Sequence, residues 1–158
     1  MSLAQQVEAA LAGLPSPSYS AHRIDVSDGS LRFTAELSAI DTLACAFELF
    51  SLESAKLQNA DIAQLKRVAD ELSKKLSYLL EPIQAIEIDS ERCVVQMRSV
   101  PPTKDDGRTS YYELLVCRPG VLSLCRYAAT AGAGRQVVLA QVTREVFLRL
   151  VRDFASVA

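Results

Sequence analysis

The stretch from Asp61 to Leu80, DIAQLKRVADELSKKLSYLL, decides the fold that we predict for the rest of the chain. Its apolar residues recur at spacings of three and four, which places them along one side of an α-helix of 3.6 residues per turn. This stripe consists of Ile62, Leu65, Ala69, Leu72, Leu76, Leu79 and Leu80. An apolar stripe has to be covered, so the sequence predicts a long central helix with a sheet packed on it.

Both ends of this helix carry recognisable signals. Asn59 or Asp61 can accept a hydrogen bond from the unpaired N–H groups of the first turn. Pro82 cannot continue a helix, and it disfavours helical geometry at the residue before it. We therefore predict a helix about 30 Å long, at about 1.5 Å per residue.

The polar side of the same helix carries both signs of charge at spacings of four. Its charged residues are Lys66, Arg67, Asp70, Glu71, Lys74 and Lys75. Each oppositely charged pair adds about 0.2–0.5 kcal/mol at best. A surface for nucleic acid or membrane needs an excess of Lys and Arg, so we interpret this side as facing solvent.

Length and composition restrict the class of protein to which the chain can belong. The chain has 158 residues, which is the usual size of one domain, and we predict a single domain over residues 1–158. Apolar residues make up 49% and charged residues 23%, which is typical of a globular protein and excludes disorder. A net charge of −2 gives no electrostatic reason to expect nucleic acid as a partner.

The sequence also predicts the cellular compartment of the protein. No Lys or Arg precedes Arg23, and no long apolar run follows the first residue, so a secretory signal is not recognisable. No stretch approaches the roughly 20 apolar residues that span a bilayer. We therefore expect a cytoplasmic protein without a membrane partner. The cysteines lack the close spacing of zinc or redox sites, and we interpret them as small buried hydrophobic residues: Cys45, Cys93, Cys117 and Cys125.

The amino-terminal side of the central helix predicts one helix and three strands. Ser2 and Gln5 form a capping-box pattern that starts a short first helix. Period-two alternation then predicts strands at Arg23–Val26, Leu31–Ser38 and Leu43–Leu52. The third strand carries apolar residues on both faces, interrupted only by Glu48. A strand of this kind must be covered on both sides, which is our reason to expect a homodimer.

The carboxy-terminal side predicts five strands and a last helix capped by Thr143. The strands are Ile83–Asp89, Cys93–Arg98, Tyr111–Cys117, Val121–Tyr127 and Gln136–Val142. Residues 100–109 are polar and are interpreted as an exposed loop. The predicted fold is therefore α+β, with the element order α-βββ-α-βββββ-α. A largely antiparallel β-sheet of about eight strands packs against the long central helix and the C-terminal helix.

One strand register can also be predicted. We centre the turn between the third and fourth of these five strands on Pro119-Gly120, within a four-residue loop. The opposed residues are then Tyr112 with Tyr127, Glu113 with Arg126, and Leu115 with Leu124. Aromatic and opposite-charge pairs stabilise a sheet, so this register is preferred. It directs Cys117 and Cys125 to opposite faces.

Most catalytic patterns are missing from the sequence. His22 is the only histidine and has no Cys, Asp or Glu at ligand spacing, so we predict no metal site and no cofactor. No nucleophile elbow or phosphate-binding loop is present. Carboxylates on the predicted strands leave acid–base chemistry open, although acids are common on solvated strand faces: Glu87, Asp89 and Glu113.

The most suggestive polar group lies on two neighbouring strands. It consists of Tyr111, Tyr112, Arg126 and Tyr127. Tyrosine and arginine combine a large contact area with directed hydrogen bonds, so these residues are our candidate binding surface. The alternative is a ladder of side chains that only stabilises the sheet.

The order of elements resembles that of small α+β chaperone-like folds such as the type III secretion chaperones, which dimerise and bind other proteins. The resemblance implies a non-catalytic, self-associating protein-interaction module, whose partner is another protein or a second copy. Such a module requires an exposed apolar patch. The alternative is a small-molecule-binding protein or enzyme. It requires a cavity of roughly 300–1,000 Å³ between a curved sheet and the central helix.

Overall fold

A computed structural model describes residues 1–158 and contains three α-helices and ten β-strands. The elements are α1 (Leu3–Ala12), β1 (His22–Asp28), β2 (Leu31–Ile40), β3 (Ala44–Ser54), α2 (Ile62–Lys75), β4 (Ile83–Asp89), β5 (Val94–Ser99), β6 (Thr103–Asp105), β7 (Arg108–Cys117), β8 (Val121–Thr130), β9 (Gly134–Val138), β10 (Ala140–Thr143) and α3 (Arg144–Val157). The α+β class and the antiparallel sheet are confirmed. The count of eight strands is wrong.

All ten strands belong to one antiparallel sheet, in which seven follow the order β1-β2-β3-β8-β7-β5-β4 and β6, β9 and β10 pair with β7, β8 and β3. The central strands β3 and β8 pair only between Phe50–Glu53 and Val121–Leu124. Beyond that segment they separate, β9 continues along β8, and β10 continues along β3. The chain reverses at Leu139, so the single strand expected over residues 136–142 is divided into two.

One additional strand, β6, lies where the sequence predicted an exposed loop. β6 and β7 form a hairpin in which Asp105 lies opposite Arg108. The two residues between them, Asp106 and Gly107, both have positive φ angles, of 46° and 73°. Asp-Gly is a preferred pair for such a two-residue turn. This local signal outweighs the polarity of the segment.

The three helices form one layer on one face of the sheet. α1 contacts β1 and α3, α3 contacts β3 and β10, and α2 contacts β5, β7 and α3. A cluster of 33 buried apolar residues fills the space between the layers and includes all five phenylalanines. We call this the helix-covered face, and the opposite face the open face. None of the helices combines the length and the apolar character needed to cross a lipid bilayer.

The central helix is shorter than predicted. It begins at Ile62, where Asp61 forms a capping box with Gln64, and it ends at Lys75. A 3₁₀ turn over Leu76–Leu79 follows, and Leu80 is in the left-handed conformation with φ 63°. This tighter turn reverses the chain into β4. The predicted stripe is buried at Leu65, Ala69, Leu72 and Leu76, whereas Leu80 is 88% exposed.

The third strand is not apolar on two faces, because its pairing with β2 is irregular. Leu49 lies opposite Glu36 and Phe47 lies opposite Leu37, so Glu48 is an additional residue in β3. This β-bulge shifts the alternation by one residue. Both Phe47 and Phe50 therefore point into the core, where their rings lie 5.5 Å apart. The reason that we gave for a homodimer is removed by this bulge.

The register between β7 and β8 differs by one residue from the prediction. Cys117 lies opposite Val121, so the loop has three residues. Gly120 ends this loop with φ 111°, and its carbonyl oxygen accepts a hydrogen bond from the Ser54 amide at 2.8 Å. A Cβ atom at Gly120 would lie 2.3 Å from the Ser54 carbonyl oxygen, so a glycine is required. This contact with β3, which local pair matching cannot detect, sets the loop.

Candidate functional site

The structure divides the four predicted site residues between the two faces of the sheet. Tyr111 lies directly opposite Tyr127, and Tyr112 lies directly opposite Arg126. Tyr112 belongs to the core under the helices, so Tyr112 and Arg126 are on the helix-covered face. Tyr111 and Tyr127 alternate with them and lie on the open face. The four residues therefore do not form one binding surface.

The open-face pair belongs to a larger group that is centred on a buried carboxylate. We call this group the outer cluster; it contains Gln96, Arg98, Tyr111, Glu113, Tyr127 and Arg135. The Glu113 side chain is only 3% exposed. Its Oε2 accepts hydrogen bonds from Arg135 Nη1 at 2.5 Å and Gln96 Nε2 at 3.1 Å, and it lies 3.5 Å from Arg98 Nη2. A buried carboxylate needs partners of this kind.

Each arginine of the outer cluster also covers a tyrosine ring. The Arg98 guanidinium lies 4.4 Å from the centre of the Tyr111 ring, and that of Arg135 lies 4.0 Å from the centre of the Tyr127 ring. The two rings are 6.1 Å apart. The hydrogen bond to Glu113 raises the pKa of Arg135. The cluster thus joins β5, β7, β8 and β9 across the open face.

The outer cluster presents positive charge to solvent. The side chains of Arg98 and Arg135 are 33% and 42% exposed, whereas the carboxylate between them is buried. Arg98 Nε is itself buried and has no hydrogen-bond partner. Arginine has five N–H donors, and the donors of Arg98 are therefore incompletely used. The surface can accept a carboxylate or a similar anion.

The helix-covered pair belongs to a different network at the start of β4. Arg126 Nη1 donates to Glu81 Oε2 at 2.8 Å, and Arg126 Nη2 donates to the Ser110 hydroxyl at 3.0 Å. The Ser99 hydroxyl donates to Glu81 Oε1 at 3.1 Å and accepts from the Tyr112 amide at 2.8 Å. Burial raises the pKa of Tyr112. These bonds fix the segment between α2 and β4 onto the sheet.

The strand that this network anchors is an edge of the sheet. β4 pairs only with β5, and every residue from Gln84 to Ile88 is exposed. Ile86 and Ile88 are among the exposed large apolar residues of the chain. An open cleft of about 390 Å³ lies beside the start of the strand; it is lined in part by Lys74, Leu76, Leu80 and Ile83. This edge combines unpaired backbone groups with apolar side chains.

The remaining polar residues singled out in the sequence are His22, Glu87 and Asp89. His22 Nε2 lies 2.9 Å from the Ser18 hydroxyl, at the start of β1. Glu87 and Asp89 line a shallow cleft on the open face of β4 together with Arg92. No group of three His, Cys, Asp or Glu side chains is arranged to hold a metal ion. All four cysteines are free thiols, and burial raises the pKa of Cys45 to about 11.

The sequence pattern identified the tyrosines of the outer cluster but not its arginines. Arg98 ends a predicted strand, and Arg135 directly precedes the strand predicted from Gln136, outside every predicted element. The one-residue error in register paired Glu113 with Arg126, which is on the other face. A three-residue loop would have placed Tyr111 beside Tyr127, and Glu113 on the same face as both. The contacts of Glu113 were therefore missed because the predicted register was wrong by one residue.

In comparisons with protein-family models, with curated proteins and with solved structures, nothing matched this chain.

Proposed function

We propose that this chain is a non-catalytic, cytoplasmic protein-interaction module that associates with a second copy of itself along β4. The observation that carries the proposal is an unpaired edge strand with exposed isoleucines beside an open, partly apolar cleft. Unpaired strand edges bind other strands unless they are protected. A closed two-fold dimer uses the same patch on both copies.

The two end strands of the sheet order, β1 and β4, differ in a way that favours β4. The edge strand β1 carries Arg23, Asp25 and Asp28, and α1 packs against it. The charges of β4 are confined to its second half, at Glu87 and Asp89. Antiparallel pairing of two copies places each acidic half beside the uncharged first half of the other strand. Parallel pairing would bring like charges together.

The two ends of β4 also carry features that suit antiparallel pairing. Ile88 is 40% exposed near one end, and the cleft with Leu76, Leu80 and Ile83 opens beside the other end. Antiparallel pairing brings each Ile88 against the cleft of the second copy. A β-bulge at Ile86 divides the strand between these two halves. The same contact is therefore made twice, once on each side of the two-fold axis.

Other features support the remaining parts of the proposal. Apolar side chains of α2 and of the sheet fill the space between them, which favours an interaction surface over a pocket for a small molecule. The charged groups of Glu113 and Arg126 are engaged in ion pairs rather than facing a cavity. Free thiols are typical of a reducing compartment. The chaperone-like role in this proposal rests on the resemblance of the predicted element order alone.

Sedimentation tests the proposed dimer. We expect the wild-type chain to sediment as a dimer and the Ile88→Lys variant as a monomer, because the new charge would be buried against the cleft of the second copy. Val137→Lys is the matched control: Val137 is 49% exposed on β9, away from β4, and its variant is expected to remain dimeric. A monomeric wild type, or a dimeric Ile88→Lys variant, contradicts the proposal.

A further inference from the structure

We infer that the outer cluster is a second interaction surface, and that it binds an extended acidic segment of a partner protein through Arg98 and Arg135. The inference rests on the proposed function as an interaction module, but it does not use the β4 edge. It lies on the open face of the sheet, which no helix covers. Its residue types, tyrosine and arginine, are those that dominate the energetics of protein interfaces.

The positive charge of the outer cluster indicates the chemistry of its partner. Both guanidinium groups contact the same Glu113 oxygen, so two positive charges are held side by side over one buried negative charge. The part that solvent reaches is therefore cationic. A carboxylate of the partner would compensate the second positive charge. It would also accept hydrogen bonds from the solvent-exposed part of the Arg98 guanidinium, whose side chain is 33% exposed.

The cluster is also rigid enough to recognise a ligand. Each guanidinium is fixed by a tyrosine ring on one side and by Glu113 on another, so little conformational freedom is lost on binding. The planar donor fork of arginine matches the two oxygens of a carboxylate. A peptide with alternating acidic residues would place carboxylates on the face that meets the sheet.

The surroundings favour an acidic peptide over nucleic acid. Glu87 and Asp89 border the same open face on β4, and the whole chain has a net charge of −2. A continuous phosphate backbone would be repelled by these groups, and it requires more cations than two. Arg98 lies opposite the uncharged residue Gln84 of β4. A short segment with two or three carboxylates can therefore lie over β7 and β8, between Arg98 and Arg135, and avoid Glu87 and Asp89.

Fluorescence anisotropy can test this inference at low ionic strength. The probe is a fluorescein-labelled ten-residue peptide of alternating glutamate and valine, and the comparison peptide has lysine in place of glutamate. We expect the glutamate peptide to bind and Arg98→Gln to weaken binding about tenfold or more, as is typical for the loss of a charged hydrogen bond. Arg23→Gln, on the far edge of the sheet, is the matched control and should bind like the wild type.

Two further variants keep the outcome decisive. If Arg98→Gln does not fold in a thermal melt, Arg98→Lys retains the charge but lacks the planar fork, and it should bind severalfold more weakly than the wild type. Ile88→Lys should lose the dimer but keep its affinity for the peptide, which separates this inference from the proposed function. Loss of peptide binding in a folded Ile88→Lys variant would assign the site to β4 and overturn the inference.

The affinities of the Arg98 variants and of the comparison ligands decide between the remaining outcomes. Equal affinity of the wild type and a folded Arg98 variant overturns the inference, as does equal binding of the lysine peptide or no binding of the glutamate peptide. Tighter, Arg98-dependent binding of a ten-nucleotide thymidine oligomer would assign the surface to nucleic acid instead. Weaker binding of the glutamate peptide at higher salt supports an electrostatic contact.

Discussion

At the scale of single residues, Glu113 depends most on its neighbours, because a buried carboxylate has to be paired with positive charge. Its side chain is buried, and its charge is compensated only by Arg98 and Arg135, which remain partly exposed. Removing one member of a buried ion pair leaves the others uncompensated. The carboxylate is therefore required for the stability of the open face, whether or not a partner binds there.

The Glu113→Gln variant tests this requirement. We expect it to lower the free energy of unfolding by about 1–3 kcal/mol, less than for a fully buried pair because water reaches both guanidinium groups. Urea denaturation measures the change. Glu36→Gln is the matched control, since Glu36 pairs with Arg23 on an exposed strand surface, and we expect a change of about 0.5 kcal/mol or less. Equal losses for the two variants would contradict this account.

At the scale of elements, α2 was predictable because its signals are local. The stripe of apolar residues and the capping aspartate lie within one segment of sequence, whereas Pro82 lies beyond the end of the helix at Lys75. The strands β1 and β2 were predictable for the same reason, since they alternate with period two around an Asp-Gly pair. The buried positions of α2 then follow from its periodicity.

The remaining elements depended on contacts that are distant in sequence. The bulge at Glu48 arises from pairing with β2, and the glycine loop before β8 is set by the carbonyl oxygen of Ser54. Neither feature can be recognised from the residues of its own strand. Each shifts a pattern by one residue, which exchanges the two faces of a strand. The shift at the loop before β8 is why the sequence predicted Tyr111 and Tyr127 but paired Glu113 with Arg126.

Substitutions in α2 test whether its apolar stripe supports the core. Leu72 is fully buried under the sheet, so Leu72→Ala should cost about 2–5 kcal/mol in free energy of unfolding. Leu80→Ala is the matched control at the exposed end of the same segment, and its effect should stay within about 0.5 kcal/mol. Chemical denaturation measures both. A neutral Leu72→Ala variant would remove α2 from the core.

The turn between β2 and β3 adds a dependence on pH. Asp41 accepts hydrogen bonds from the amides of Leu43 and Ala44 at 2.8 and 2.7 Å, and these bonds hold the pKa of its carboxyl below the usual 3.8. The stabilising contribution is therefore complete at neutral pH and is lost as the pH falls through the folded-state pKa.

The Asp41→Asn variant is expected to remove this contribution. Its free energy of unfolding should fall less steeply than that of the wild type between about pH 5 and about pH 2, because an amide does not titrate. Urea denaturation across this range provides the comparison. Parallel curves for the two proteins would show that the turn does not contribute to acid sensitivity.

At the scale of the whole molecule, the helices cover most of one face of the sheet and leave the other face and the β4 edge open. Three helices cover one face, the outer cluster occupies part of the other, and β4 leaves one edge unpaired. We propose that the edge associates with a second copy and that the outer cluster binds an acidic partner. The two surfaces are separate, so a dimer would present two outer clusters.

Amide hydrogen exchange along β4, measured at increasing protein concentration, tests the proposed edge pairing most directly. Amides of residues 84–88 that do not donate to β5 should exchange more slowly as the dimer forms, because they gain an acceptor on the second copy. The outward amides of β1 should not change. Exchange on β4 that is independent of concentration, or slowing on β1 instead, would contradict the account.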